Sequence, residues 1–419
     1  IALIDGPASA ATVARIAAHG ALAQVYISPD EALEPVAVPN AWGGAAATPA
    51  IAIGRATGEG FLALCAAGAT PVRLTVATDW ATRRLLLPVA TIRGVEEPED
   101  FVLLGAPGPT AADGGEAAAC LLELCRVLAA HAGRLRRGIR CAWWPGGAAP
   151  SAGPLWYTDQ TWGELGRHAT CYVDLPPTER RRAQSLQGWG EAGLQSFAET
   201  ALREGGVRAL TWASAPDPAL IGPFARLGLP TLRLAAGQAG AIGACVPVVA
   251  RLCTAPLLPL DLLATARAIE ARIQAATALI GERLDYAPLG ARGDGFREAA
   301  ERMHLGLLHI AQAASPNYEE GVEIGNRALR RLSRLLLPVL RHPGDPYAAT
   351  TARYPDLAPL PGLDVAVAFA ALQGGAAADE REALRAAAIR ERNRVLDALS
   401  GGIAVIDEAL ASLRPLGFG

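Results

Sequence analysis

In the first part of the chain, short apolar runs broken by glycine and proline alternate with stretches of helical period. The pattern predicts strands over Ile1 to Asp5, Ala23 to Ser28, Ala50 to Gly54 and Val72 to Thr78, and helices over Ala10 to His19 and Thr57 to Ala67. Pro39, Pro49 and Pro71 punctuate the turns. From Val89 the rhythm lengthens. Strands are expected near Phe101 to Ala106, Gly138 to Trp144, Thr170 to Leu175, Val207 to Trp212 and Pro230 to Leu234, with helices between them, best marked by Glu116 to Ala130. Strand, helix and strand in succession predict an α/β, doubly wound, mostly parallel sheet covered on both faces. Sites in such sheets form at the carboxyl ends of the strands, so the loops after Ala106, Trp144, Leu175, Trp212 and Ala235 matter most.

Beyond Leu262 the strand pattern stops and long helical patterns take over. Leu384, Ala388, Val395, Leu399, Ile403, Ile406, Leu410 and Leu413 form an apolar stripe on the last helix. Val322, Leu329, Leu332, Leu336 and Val339 do the same on an earlier one. His342 to Leu363, rich in proline and glycine, reads as a long ordered loop. The expected organisation is 1–88, 89–283 and 284–419: a small lid, an α/β core and a helical appendage.

Composition narrows the function classes. A chain of 419 residues needs more than one ordinary core, and 51% hydrophobic with 19% charged residues describes a packed globular protein. A net charge of -3 offers no global field for nucleic acid or an anionic membrane, and neither partner is expected. Every basic residue is arginine, which reflects genomic base composition rather than mechanism. Cys65, Cys120, Cys125, Cys141, Cys171, Cys245 and Cys253 sit mostly in apolar runs without the spacing of a disulfide framework or a zinc knuckle. They read as reduced core thiols of a cytoplasmic protein. Apolar stretches are too short or too interrupted to span a bilayer, and no signal peptide is visible. Ile1 opens inside a strand pattern, so more chain is expected upstream.

Two segments carry a family resemblance. Ile51-Ala52-Ile53-Gly54-Arg55-Ala56-Thr57-Gly58-Glu59-Gly60 resembles the end of a protease-associated domain, a small lid beside many exopeptidases. Gly105-Ala106-Pro107, the helix following Asp113, and Arg136-Arg137-Gly138-Ile139-Arg140-Cys141-Ala142-Trp143-Trp144 resemble the core of the zinc aminopeptidase and glutamate carboxypeptidase family, in its transferrin-receptor-like branch. The resemblance implies two zinc ions held by His, a bridging Asp, Glu, Asp and His, with a further Glu as general base toward a metal-bound water. The first His position is Pro107. The bridging Asp matches Asp113, while the catalytic Glu and the adjacent ligand Glu fall on Gly147 and Ala148. The fourth ligand is either Asp174 or, with Asp174 in place of the family's Asn, Pro176. The last His should follow Thr231 to Leu234, yet no histidine occurs between His168 and His304. Such a chain implies no metal, no cofactor and no catalysis of its own, with Asp113 and Asp174 as vestiges.

Each remaining feature has a plainer reading beside the functional one. Asp113 suits a helix N-cap, and Asp174 suits local backbone hydrogen bonds. Trp144, Trp156 and Tyr157, with Trp143, could floor a ligand cleft, or one of the adjacent tryptophans could pack beneath helices, since neighbours on a strand face opposite sides. Arg180 opens an Arg180-Arg181-Arg182 run that could attract a carboxylate or phosphate, or stay solvated. His304 and His309 are poor metal partners, and Glu96-Glu97-Pro98-Glu99-Asp100 reads as an exposed turn. The expected function is an inactive exopeptidase homologue acting as a structural or regulatory subunit. Its C-terminal helices would pair with a second copy or with an active paralogous metallopeptidase subunit. The alternatives are an active hydrolase with an atypical site and an amino-acid or peptide receptor.

Overall fold

The computed structural model describes residues 1–6, 13, 16–17, 19–28, 48–68, 71–76, 84–108, 115–145, 152–175, 186–207, 210–213, 218–235, 240–342, 347, 359–372 and 378–418. A small three-stranded sheet comes first, with β1 (Ala2–Asp5), β2 (Gln24–Ile27) and β3 (Ala50–Ile53) in that order and all parallel. The helix α1 (Arg55–Ala67) returns over it, and Gly58 lets it lie close: a Cβ there would sit 2.2 Å from Ile27 Cγ2. The expected helix over Ala10 to His19 lies largely outside the described residues. Val72 to Val76 form no strand, which corrects the sequence expectation. Their β-branched residues supply propensity, but Val72 and Val76 are exposed and no described strand pairs with them, and propensity without a buried face does not make a strand.

The main sheet has seven strands among the described residues, in the order β4-β6-β5-β7-β10-β8-β9. They are β4 (Val89–Ile92), β5 (Glu97–Pro107), β6 (Arg137–Trp144), β7 (Ala169–Asp174), β8 (Leu186–Gly190), β9 (Leu210–Trp212) and β10 (Thr231–Ala235). β6, β5, β7 and β10 run parallel, while β4 and β8 run antiparallel to their inner neighbours. One face carries Val102, Leu104, Ile139, Val173, Leu232 and Leu234 beneath α2 (Glu116–Ala129), α5 (Ala192–Glu204) and α7 (Gly240–Thr254). The other face carries Leu103, Ala142, Trp144 and Tyr172 against α3 (Ala152–Gln160), α4 (Trp162–His168) and α6 (Pro218–Arg226). Strict alternation of side chains between two apolar layers is what the near-continuous hydrophobic strands required.

Two findings here differ from the sequence reading. β8, like β4, was not among the expected strands, and β8 contains Gly188 and Gly190. Both are close-packing positions: a Cβ on Gly188 would lie 2.8 Å from the Trp212 ring, and one on Gly190 would lie 3.0 Å from Leu232. The acidic run before β5 is not an exposed turn. Glu97 begins the strand and receives Arg136 Nε at 2.7 Å and Arg137 Nε at 3.0 Å. Burial opposes ionisation of Glu97, yet these arginines hold its carboxyl below the usual carboxylate range. Arg137 is fully buried and also donates to the carbonyls of Leu252, Ala255 and Pro256, so it ties the strand starts to the chain leaving α7.

The C-terminal part is helical: α8 (Leu262–Ile280), α9 (Ala287–Gln312), α10 (Tyr318–Arg341), α11 (Leu363–Ala371) and α12 (Ala378–Leu413). Asp261 caps α8 by accepting from the Ala264 amide at 2.9 Å. These helices share one apolar core that begins at Leu258 and runs to Leu410. Both sequence stripes are consumed there. Leu329, Leu332, Leu336 and Val339 of α10, and Val395, Leu399, Ile406 and Leu410 of α12, are buried inside the chain. α10 also presents a basic face to the sheet. Arg330 pairs with Asp100, whose other oxygen lies 3.1 Å from His168 Nδ1. Arg334 donates to the carbonyls of Leu165, Gly166, Ala169 and Leu227, and burial together with the Arg330 charge lowers its pKa to about 10. Arg341 grips Glu191 with Nε and Nη2 at 2.9 and 2.7 Å and lies over the Trp189 ring.

Candidate functional site at the carboxyl ends of the strands

The parallel strands deliver Pro107, Trp144, Asp174 and Ala235 to one edge of the sheet. Register places Gly105 beside Asp174, Asp174 beside Arg233, and Arg233 beside Trp189, so the four form a row across β5, β7, β10 and β8. Paired residues share a face, and this row faces the layer of α3, α4 and α6.

Asp174 is fully buried. Its Oδ1 accepts a hydrogen bond from the Tyr172 hydroxyl at 3.2 Å, and its Oδ2 lies 3.5 Å from Arg233 Nε. Tyr172 in turn accepts from Trp144 Nε1 at 3.0 Å. Burial, reinforced by the Asp174 charge, raises the Tyr172 pKa well above its ordinary value, which fixes the hydroxyl as a donor to the carboxylate. Gly105 is required by this arrangement: a Cβ there would come within 2.2 Å of Trp144 Nε1 and 2.5 Å of the Tyr172 hydroxyl. The sequence suggested backbone partners for Asp174. The cross-strand register also supplies a phenol and a guanidinium.

The aromatic residues divide by face. Trp143 turns to the α2 side and donates to the Ala118 carbonyl at 3.0 Å. Trp144 is buried on the opposite side, 5.5 Å from Tyr157, 5.6 Å from Phe224 and 6.4 Å from Tyr172 between ring centroids. Tyr157 is buried too, and its hydroxyl accepts from Arg140 Nη1 at 3.2 Å. Burial raises its pKa, with Arg140 working against the rise. Arg140 also bonds Glu164 at 2.7 Å and lies 4.0 Å over the Phe101 ring. Of the described residues suggested for a cleft, only Trp156 is exposed, at 48%. Trp144 and Tyr157 are core. Asp113, Gly147, Ala148, Pro176 and Arg180 lie outside the described residues. His304 is half-buried and His309 exposed on α9.

A dinuclear zinc site fits this donor set poorly. Pro107 carries no donor side chain, and Gly147 and Ala148 have none to offer by identity. Asp174 already faces a cation, since Arg233 holds the positive charge next to it. Among the described residues, no three His, Cys, Asp or Glu side chains gather as a metal cluster. The sequence could not have pointed to Arg233, which becomes a site residue only once β7 and β10 are seen to be neighbours.

The cysteines depart from the expectation in one place. The Sγ atoms of Cys125 on α2 and Cys141 on β6 are joined as a disulfide, with Cα atoms 7.3 Å apart, while Cys65, Cys120, Cys171, Cys245 and Cys253 are free. Helix-to-sheet packing brought the pair together across a separation of 16 residues, which spacing alone did not suggest. No described helix is long and apolar enough to cross a membrane.

No protein-family model matches the chain, and no curated protein matches it. Among solved structures it is similar to BSAP, a zinc aminopeptidase from Bacillus subtilis, with 18% identity and a TM-score of 0.44 over 59% of this chain and 68% of that one. It is also similar to an aminopeptidase from Aneurinibacillus sp. strain AM-1, with 15% identity and a TM-score of 0.41 over 60% and 74%. A third is a peptidase M28 precursor from Shewanella amazonensis SB2B, with 17% identity and a TM-score of 0.40 over 60% and 67%. At this level the likeness is coarse, and the site stands on this chain's own residues.

Proposed function

We propose that this chain is a catalytically inactive homologue of the zinc exopeptidases, with a lid-like sheet at its start, acting through binding and assembly rather than hydrolysis. One observation carries the reading. At the strand ends the carboxylate of Asp174 is buried between the Tyr172 hydroxyl and the Arg233 guanidinium, while the strand-end position of β5 is Pro107. A carboxylate in that setting is a structural anion. To ligate zinc it would have to shed Arg233, and the two charges would then compete for one pocket.

As a pseudoenzyme the chain would pair with itself or with an active paralogous subunit. The helical stripes that first suggested this role are buried in the chain's own core, so an assembly surface must lie elsewhere. The direct test is elemental analysis of the purified chain, joined to assays with aminoacyl and glutamyl peptide substrates. The expected result is zinc far below one ion per chain and no turnover above the blank. Two tightly held zinc ions with hydrolysis that a chelator abolishes would overturn the proposal and establish the active-hydrolase alternative.

A further inference from the structure

The sheet and the helical part do not close completely against each other. A cavity of about 40 Å³, partly open to the surface, lies where the turn from β8 into α5 and the start of β10 meet the first turn of α8 and the middle of α10. Pro230 on its wall is five residues before Ala235, so the cavity sits about 16 Å from the carboxyl end of β10. Leu194, Leu329, Leu332 and Leu336 are buried around it, whereas Asp261, Thr265 and Ser333 are half-buried and form its rim.

The rim side chains are acceptors. Ser333 donates its hydroxyl proton to Leu329 O at 2.9 Å, and Thr265 donates its own to Asp261 O at 3.2 Å. Glu191 and Asp261 hold the N-cap positions of α5 and α8, so negative charge stands at two helix starts that would otherwise favour an anion. The two carboxylates are not equivalent. Arg341 neutralises Glu191, with Nε at 3.1 Å from Oε1 and 2.9 Å from Oε2. Asp261 Oδ1 accepts from the Ala264 amide, and among the described residues no guanidinium or imidazole pairs with this carboxylate.

At about 10–15 Å³ for each water-sized group, the space takes about three of them, which is the length of a propyl chain and far less than a polypeptide segment. We propose that the cavity binds a short aliphatic primary ammonium ion, its chain among the leucines and its charged end on Asp261, Thr265 and Ser333. Three N–H donors then meet three acceptors, one of them charged. An alcohol of equal length lacks the charge, and a carboxylate would meet Asp261 with like charge. Because the walls come from both the sheet and the helices, a bound amine also holds the two together. No residue of the strand-end row lines the cavity, so metal content and peptidase assays decide one reading and amine binding decides the other.

The test titrates n-propylamine, 1-propanol and sodium propionate into the full chain at neutral pH and matched ionic strength, with binding read by saturation-transfer NMR and by the thermal unfolding midpoint. The amine should saturate and raise the midpoint, the alcohol should bind at least about tenfold more weakly, and propionate should not bind. Asp261→Asn keeps a capping side chain but removes the charge, so it should weaken amine binding at least about tenfold with little change in the unliganded midpoint. Ser333→Leu fills the space and should abolish binding of amine and alcohol alike, and Asp261→Asn still decides if that variant misfolds. Equal binding of amine and alcohol, binding of propionate, no saturable binding of the amine, or amine binding that Asp261→Asn leaves unchanged would overturn the proposal.

Discussion

Removing Arg233 is the sharpest probe of the strand-end site. In Arg233→Ala the fully buried Asp174 keeps the Tyr172 hydroxyl but loses the cation 3.5 Å from its Oδ2. At that separation the gross attraction is about 5 kcal/mol for an effective dielectric of ~20. Arg233 is 22% exposed, so water takes over part of the screening, and the net loss should be about 3 kcal/mol. Asp174→Asn removes the charge while keeping an acceptor for Tyr172. The double variant Asp174→Asn with Arg233→Ala should therefore be more stable than Arg233→Ala alone, by about 2 kcal/mol. Urea unfolding followed by tryptophan fluorescence reads both numbers, because Trp144 lies against Tyr172 and reports the melting of this layer. Zinc added to the wild type should not raise the midpoint. The reasoning is refuted if Arg233→Ala falls within about 0.5 kcal/mol of wild type, or if the two substitutions are additive.

Leu332→Asp places a carboxylate in the core shared by α10 and α12, and should destabilise the monomer by more than about 3 kcal/mol. Dissociation of an assembly without loss of helix, seen by paired sedimentation and circular dichroism, would show that the stripe serves a partner. Glu97→Gln tests the acid side. Because the folded-state pKa of Glu97 is lowered, its stabilisation is present above the unfolded value of about 4.3 and fades as pH falls through the folded one. The stability gap between wild type and Glu97→Gln should thus shrink below about pH 4, and a gap constant down to about pH 3 contradicts the assignment. Thiol titration of the unfolded chain should give five free groups before reduction and seven after it. In the native state Cys65 should react first, while Cys245 and Cys253, each pushed up to about 12 by burial, and fully buried Cys171 stay inert. Fast modification of Cys171 would contradict the packing of that layer.

What the sequence disclosed follows from what each inference needed. The inner strands were legible because Phe101 to Ala106 and Thr170 to Leu175 are buried on both sides and read as unbroken apolar runs. The lack of zinc donors at Pro107, Gly147 and Ala148 required only side-chain identity. β8 went unlisted in the sequence reading: a glycine in a strand means either a break or a close neighbour, and at Gly188 and Gly190 only the Trp212 ring and Leu232 decide between them. The stripes on α10 and α12 showed that a face is buried without showing against what. Arg233, Tyr172 and Asp174 become a constellation through strand order, which places β10 next to β7 across intervening chain, and no local pattern encodes that adjacency.

The basic face of α10 has a practical consequence for anyone cutting this gene. Arg330, Arg334 and Arg341 reach Asp100, four carbonyls around α4 and α6, and Glu191. A fragment ending near Pro256 would strand those acceptors and bare the apolar surface beneath them. The sheet and the helices should therefore melt as one cooperative unit, and expression trials should keep both in a single polypeptide.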